Sequence, residues 1–230
     1  MTIYQLTDEL LFPPPEDAEE EGLLAVGGDL TVHRLILAYA KGIFPWYTEG
    51  DPILWWSPDP RLILFPENLK ISKSLQRVIK KEKFEIRFNT CFSDVLEQCS
   101  RTPRRDQDGT WITDEMKQAY CRLFEAGYAH SSEAFFEGKL VGGLYGVALG
   151  RAFFGESMFA HMSDASKVAF AFLVRKLEHA GFHFIDCQVT TAHLQSLGAH
   201  EVSRHEFLER LQKATHSTPP SPSLNEMFAS

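Results

Sequence analysis

The sequence predicts a mixed α/β protein of the α+β kind, with helices and strands taking turns along the chain. Three observations carry that reading. Apolar residues recur at helical spacing in five stretches, short aromatic or β-branched runs lie between them, and glycine or proline marks most of the junctions. A length of 230 residues allows one substantial core, or a small domain beside a larger one.

In chain order, Leu11-Phe12-Pro13-Pro14-Pro15 is stiff and extended, and the acidic run after it cannot pack. Gly22-Leu23-Leu24-Ala25-Val26-Gly27-Gly28-Asp29-Leu30 leads into a helix over 31–41, where Leu35, Ile36, Tyr39 and Ala40 share a face and Gly42 closes it. Gly27-Gly28 lacks the surroundings of a phosphate-binding loop and reads as a turn. Three of the four tryptophans, Trp46, Trp55 and Trp56, then fall within eleven residues. Prolines interrupt them, so irregular backbone is expected there, with Trp55 and Trp56 in a core and Trp46 on a ligand face.

Helical spacing returns over 72–82 and 92–99 around a strand-like 84–88. Thr113 is placed to cap a helix ending at Gly127. Ala134-Phe135-Phe136, the turn Glu137-Gly138-Lys139 and Leu140-Val141-Gly142-Gly143-Leu144 read as an antiparallel hairpin, and 152–154 as a further strand. Ser163 is placed to cap a long helix to Ala180, after which four residues of Phe182-His183-Phe184-Ile185-Asp186-Cys187-Gln188 read as a buried strand that ends in a carboxylate and an amide at alternate positions.

Composition narrows the function. Cys91, Cys99, Cys121 and Cys187 make no CxxC pair and the first twenty-one residues are acidic and proline-rich, so reduced thiols and a cytoplasmic location are expected. The longest wholly apolar run, Val168 to Val174, is too short to enter a membrane. Nine histidines show no metal-ligand spacing, and no metal or other cofactor is expected. The net charge of −8 hides a division, because residues 1–62 carry three Lys/Arg against eleven Asp/Glu while 70–105 carry ten against four. Lys70, Lys73, Arg77, Lys80, Lys81, Lys83 and Arg87, with Arg101, Arg104 and Arg105, form either a phosphate-binding patch or a solvated helix face.

The strand ending in Asp186 and Gln188 is the candidate site. Alternation puts both groups on one face, where a carboxylate beside a carboxamide can hold an attacking amine and relay its proton. Alternatively, the two merely cap the next helix.

The run Gly22 to Leu30, Gly42-Ile43-Phe44-Pro45-Trp46 and Trp55-Trp56-Ser57-Pro58-Asp59-Pro60-Arg61 resemble, in this order, the bacterial leucyl/phenylalanyl-tRNA-protein transferases. The likeness continues through Gly109-Thr110-Trp111-Ile112-Thr113, Leu140-Val141-Gly142-Gly143-Leu144-Tyr145-Gly146, Gly155-Glu156-Ser157-Met158-Phe159, Ala165-Ser166-Lys167 and Ile185-Asp186-Cys187-Gln188, covering about residues 3–212. The resemblance implies a small N-terminal domain (1–62), a larger GNAT-like, acetyltransferase-type domain (63–214) and, beyond it, a Ser/Pro-rich tail (215–230) expected to be disordered. It implies transfer of Leu or Phe, less readily Met, from aminoacyl-tRNA to the N-terminal α-amine of proteins starting with Arg or Lys, which marks them for degradation. A monomer is expected.

The resemblance also places roles. Asp186 and Gln188 take the catalytic pair's positions, with Asp186 orienting Gln188. Glu156 stands close by, completing that network or pairing with the acceptor's cationic side chain, or is simply a surface carboxylate beside a turn. Leu144, Phe153, Met158, Phe170 and Leu173 lie where the family keeps an apolar pocket, although Phe170 and Leu173 equally suit a helix core. Trp46 and Trp111 fall beside the terminal adenosine, and Thr191 stands where the family often has Asn. The basic segment would hold acceptor-stem phosphates. An aminoacyl ester is already activated, so its attack by an amine needs no ATP. Two rivals remain on sequence: an acetyl-CoA-dependent acetyltransferase, whose usual pyrophosphate loop is absent, and a non-catalytic module binding charged tRNA or basic N-termini.

Overall fold

Helix starts follow the capping signals. Thr31, Ser72, Thr113, Thr191 and Ser203 each accept the backbone N–H three residues on, which opens the helices Val32–Ala40 (α1), Lys73–Lys80 (α2), Asp114–Glu125 (α4), Ala192–Ser196 (α6) and Arg204–His216 (α7). Each such cap contributes about 0.5–2 kcal/mol. Phe92–Arg101 (α3) starts at Cys91 without a side-chain cap. Ala165–His179 (α5) departs from expectation: its cap position is Asp164 in the left-handed region at φ 70, and Ser163 lies in the turn before it. The computed structural model describes residues 3–102, 112–217 and 224–228.

Four short strands, Tyr4–Leu6 (β1), Leu23–Gly27 (β2), Phe44–Pro45 (β3) and Leu54–Trp56 (β4), form a small N-terminal sheet in the order β1-β2-β4-β3. Trp55 and Trp56 therefore sit on paired strand rather than irregular backbone. Pro52 and Pro58 fall just outside β4, and Pro45 ends the edge strand β3, where a missing N–H is tolerated. Trp55 is fully buried and its indole N–H donates to the Gly27 carbonyl.

The larger sheet has seven strands: Arg61–Leu64 (β5), Glu85–Phe88 (β6), Ala129–Phe136 (β7), Lys139–Leu149 (β8), Ala152–Ala160 (β9), Phe184–Gln188 (β10) and His200–Val202 (β11). Its order is β11-β5-β10-β9-β8-β7-β6. The predicted hairpin is β7–β8, closed by Glu137-Gly138 with both residues at positive φ, as a two-residue turn matched to strand twist requires. Glycines in β8 answer close approaches. A Cβ on Gly142 would lie 2.5 Å from the Ala165 Cβ at the start of α5, and one on Gly146 would lie 2.2 Å from the Phe154 carbonyl oxygen.

Alternation along the strands sends neighbours to opposite faces. Tyr145, Phe154 and Phe184 join α3, α4 and α7 in one core, while Leu144, Phe153 and Ile185 join α5 in the other. The small sheet has no core of its own. Leu24, Leu35, Tyr39 and Trp55 are continuous with Phe92, Tyr120 and Phe207 of the larger domain. The mixed α/β class, with a small N-terminal sheet followed by a larger one, is thus the observed one, and no helix among the described residues is long and apolar enough to cross a membrane.

The tail differs from expectation. Thr215 and His216 finish α7, and Leu224–Phe228 forms a short helix (α8) with Leu224 and Phe228 buried. Phe228 stacks on Phe88 with ring centroids 4.9 Å apart, so two apolar anchors outweigh the polar composition around them.

Candidate active site

β9 and β10 are a parallel pair, and their register ends at Phe154 opposite Asp186. Beyond that point the strands no longer pair, and a cavity of about 420 Å³ opens beside them. Leu144, Met158, Phe170, Ile185 and Leu194 give it apolar walls, and Phe44, Pro45 and Trp46 of the small sheet supply another side. The polar groups are few: Glu156, Gln188, Ser157, Thr191 and His193. Such a cavity, mostly apolar with a handful of convergent polar groups, suits a small side chain attached to something polar.

Glu156 is the centre of the polar end. Tyr39 donates to its Oε1 at 2.8 Å, Tyr120 to its Oε2 at 2.7 Å and the Gln188 amide nitrogen to Oε1 at 2.9 Å. The two tyrosine hydroxyls are themselves 2.6 Å apart. Among the described residues no cation is hydrogen-bonded to this carboxylate. Burial therefore dominates and raises its pKa to about 7, against the pull of the tyrosine hydroxyls and the amide. Burial, with the Glu156 charge, holds both phenols well above their ordinary values, so they remain donors.

Asp186 is handled differently. It is fully buried, does not line the cavity, and has both oxygens on Arg61, with Nε to Oδ1 at 2.9 Å and Nη2 to Oδ2 at 2.6 Å. Its Oδ1 also accepts the backbone N–H of Gln188 at 2.8 Å. Gln188 has φ 62, and the pairing with β5 slips between Asp186 and Gln188. The expected side-by-side presentation on one face is therefore not what forms. A bulge interrupts the alternation, and the carboxylate that orients the Gln188 side chain is Glu156.

The other expected residues divide. Leu144, Met158 and Phe170 line the cavity, while Phe153 and Leu173 are fully buried in the core behind it and do not. Trp46 lines the mouth, its ring 5.7 Å from Trp56, whose indole N–H donates to the Trp46 carbonyl. Thr191 lines the mouth too, but its hydroxyl caps α6. Trp111, Arg104 and Arg105 lie outside the described residues. Lys70, Lys73, Arg77, Lys80, Lys81 and Lys83 are exposed, and none makes an ion pair among the described residues. The Lys70 backbone N–H donates to the Leu197 carbonyl just after α6, which places the first residue of this strip beside the helix that carries the cavity residues His193 and Leu194.

The family model for leucyl/phenylalanyl-tRNA protein transferase matches residues 63–212, and that for the N-terminal domain of the same proteins matches 28–59. The chain belongs to this transferase family. Proteins named leucyl/phenylalanyl-tRNA--protein transferase are similar along nearly their whole length. The one from Syntrophobacter fumaroxidans is 61% identical over 211 residues, covering 92% of this chain and 90% of its own. That from an Azoarcus species is 57% identical over 217 residues, covering 94% and 92%. Membership decides against the two rivals raised on sequence and makes the chain an aminoacyl-tRNA-dependent transferase.

Sequence reasoning missed three residues that hold this polar cluster together: Tyr39, Tyr120 and Arg61. Tyr39 shares the apolar face of α1, and Tyr120, buried on α4, was not singled out at all. A buried tyrosine hydroxyl needs a partner, and that was the available signal. Arg61 was visible only as the last residue of a motif.

Proposed function

We propose that the protein moves Leu or Phe, and less readily Met, from aminoacyl-tRNA to the N-terminal α-amine of proteins beginning with Arg or Lys, marking them for degradation. The observation that carries the reading is the apolar cavity with the Gln188–Glu156 pair on its wall. The amino acid side chain fills the part lined by Leu144, Met158, Phe170 and Ile185. Met158 adapts to branched or flat side chains. The terminal adenosine stacks at the mouth on Trp46, such a contact being worth about 1–3 kcal/mol. His193 at that mouth has a pKa lowered by burial and by Lys167, so its neutral ring meets the nucleotide. The exposed cations of α2 and Lys70 hold acceptor-stem phosphates. This work is done by a monomer in the cytoplasm, where charged tRNA is found.

In the transfer step the amine attacks the ester carbonyl, the tetrahedral intermediate collapses, and the ribose oxygen leaves. With its N–H committed to Glu156, Gln188 offers its carbonyl oxygen to an amine N–H and aligns the lone pair. A carboxylate has about four acceptor positions, and the described contacts on Glu156 fill three. The fourth takes the proton that the amine sheds on bonding, which a carboxylate with a pKa of about 7 can hold and return to the leaving oxygen.

The test is incubation of the purified chain with radiolabelled Phe-tRNA and peptides differing only in residue one. Label is expected on the Arg and Lys peptides and not on Ala or Glu peptides. Absence of transfer, or equal labelling of all four, overturns the reading.

A further inference from the structure

We propose that Arg61 is the positioning residue of this site, acting through Asp186 to set the turn that stands the Gln188 carboxamide against Glu156. The inference rests on the reading of Gln188 as the group that meets the acceptor amine.

Arg61 opens β5, the strand paired with β10, and is fully buried. Its guanidinium lies between two rings, 4.8 Å from the Phe44 centroid and 4.4 Å from that of Phe207. Nη1 has no hydrogen-bond partner among the described residues, so the Nε and Nη2 edge carries the polar contacts. A planar fork clamped between aromatic faces and bonded to both carboxylate oxygens fixes the plane of Asp186 as well as its place. That plane aims Oδ1 at the backbone N–H of Gln188, two residues on.

Gln188 needs the help. At φ 62 it occupies the left-handed region, which residues bearing a Cβ avoid, and nothing in a glutamine side chain favours it. The Asp186 oxygen holds this backbone by accepting its N–H, in the manner of an Asx turn. With the fork removed, Asp186 is free to rotate and Gln188 to relax toward extended backbone, which redirects its side chain. Neither Arg61 nor Asp186 lines the cavity, so their influence on substrate passes through Gln188. Phe44 does line it, and the guanidinium therefore braces the small-sheet wall at the same time.

A role in stability alone predicts that Arg61 variants that fold transfer normally. Positioning predicts a slower transfer step with ligand binding retained. The experiment uses the full chain as wild type, Arg61→Lys, Asp186→Asn, the double variant and Gln188→Ala, each checked by thermal melting. Two quantities are measured: the single-turnover rate at saturating Phe-tRNA and Arg-peptide, and the affinity for a non-hydrolysable phenylalanyl-adenosine amide by tryptophan fluorescence. Arg61→Lys and Asp186→Asn are each expected to transfer at least about tenfold more slowly, with amide affinity within about threefold of wild type. The double variant should be no more than about threefold slower than the slower single variant, since both act along one path. Wild-type rates in both single variants, losses that multiply in the double variant, or a rate loss matched by an equal affinity loss overturn the proposal. Should Arg61→Lys fail to melt cooperatively, Arg61→Gln takes its place in both measurements with the same expected and overturning outcomes. A wild-type rate in Gln188→Ala sinks the underlying reading of Gln188, whereas a slow Gln188→Ala beside wild-type rates in the other two sinks only the role of Arg61.

Discussion

Asp186 and Glu156 are two buried carboxylates close to one glutamine, and the protein treats them in opposite ways. Asp186 meets a guanidinium with both oxygens and contacts the glutamine backbone. Glu156 meets two phenols and the glutamine side chain, all neutral, and borders the cavity. A buried carboxylate neutralised by an arginine is a pin, because removing either charge is costly. One held by neutral donors keeps a proton equilibrium near physiological pH, which is what a proton-handling group requires. Two things distinguish them: only Glu156 reaches the cavity, and only Asp186 has a cationic partner among the described residues.

The comparison can be broken most forcefully at the pin. Arg61→Met leaves Asp186 buried without its cation and should lower the unfolding free energy by about 3–5 kcal/mol in urea titration, while Arg61→Met with Asp186→Leu recovers most of it. Equal loss in both would mean that the pair is not what holds this joint. At the other carboxylate the large effect is on rate. Glu156→Gln should slow single turnover by about 100-fold or more with the amide analogue still bound. The wild-type rate should also climb about tenfold per pH unit up to about 7 and then level, because only the ionised group accepts a proton, and the Gln variant should lack this limb.

The same raised pKa has a consequence for stability with a definite sign. Between about 4.5 and 7 the folded state keeps a proton on Glu156 that the unfolded chain has lost. Its contribution is thus most favourable at low pH and declines as pH rises through that window. The wild-type unfolding free energy minus that of Glu156→Gln should fall by roughly 3 kcal/mol from pH 4.5 to 7.5. A flat or rising difference would place the carboxylate in a more solvated setting. The smallest effect concerns the wall. Met158→Trp leaves both carboxylates in place and should cut Phe transfer more than Leu transfer, by about tenfold in their ratio. Equal losses would take Met158 out of amino acid selection.

Local signals in the sequence were legible where local physics decides. Thr113 caps α4 and Glu137-Gly138 closes the β7–β8 hairpin, because a hydroxyl and two positive-φ residues need only their near neighbours. Ser163 misled: α5 starts from a left-handed Asp164 with no side-chain cap, packed closely on Gly142. Period-two reasoning correctly found the strand carrying Asp186 and Gln188, and then failed across the bulge. Phe153 and Leu173 show a similar limit. Their apolar character places them near a cavity without saying whether they line it or back it.

From sequence alone came the α/β class, most helix starts, the hairpin and the family, all of which depend on spacing and on motifs a few residues long. Folding in three dimensions decided which acid does which task. Arg61 and Asp186 are 125 residues apart, and Tyr39 and Glu156 are 117 apart. Local propensity carries no information about such partners, and a carboxylate's proton affinity is set by the charges and water that the tertiary fold leaves beside it.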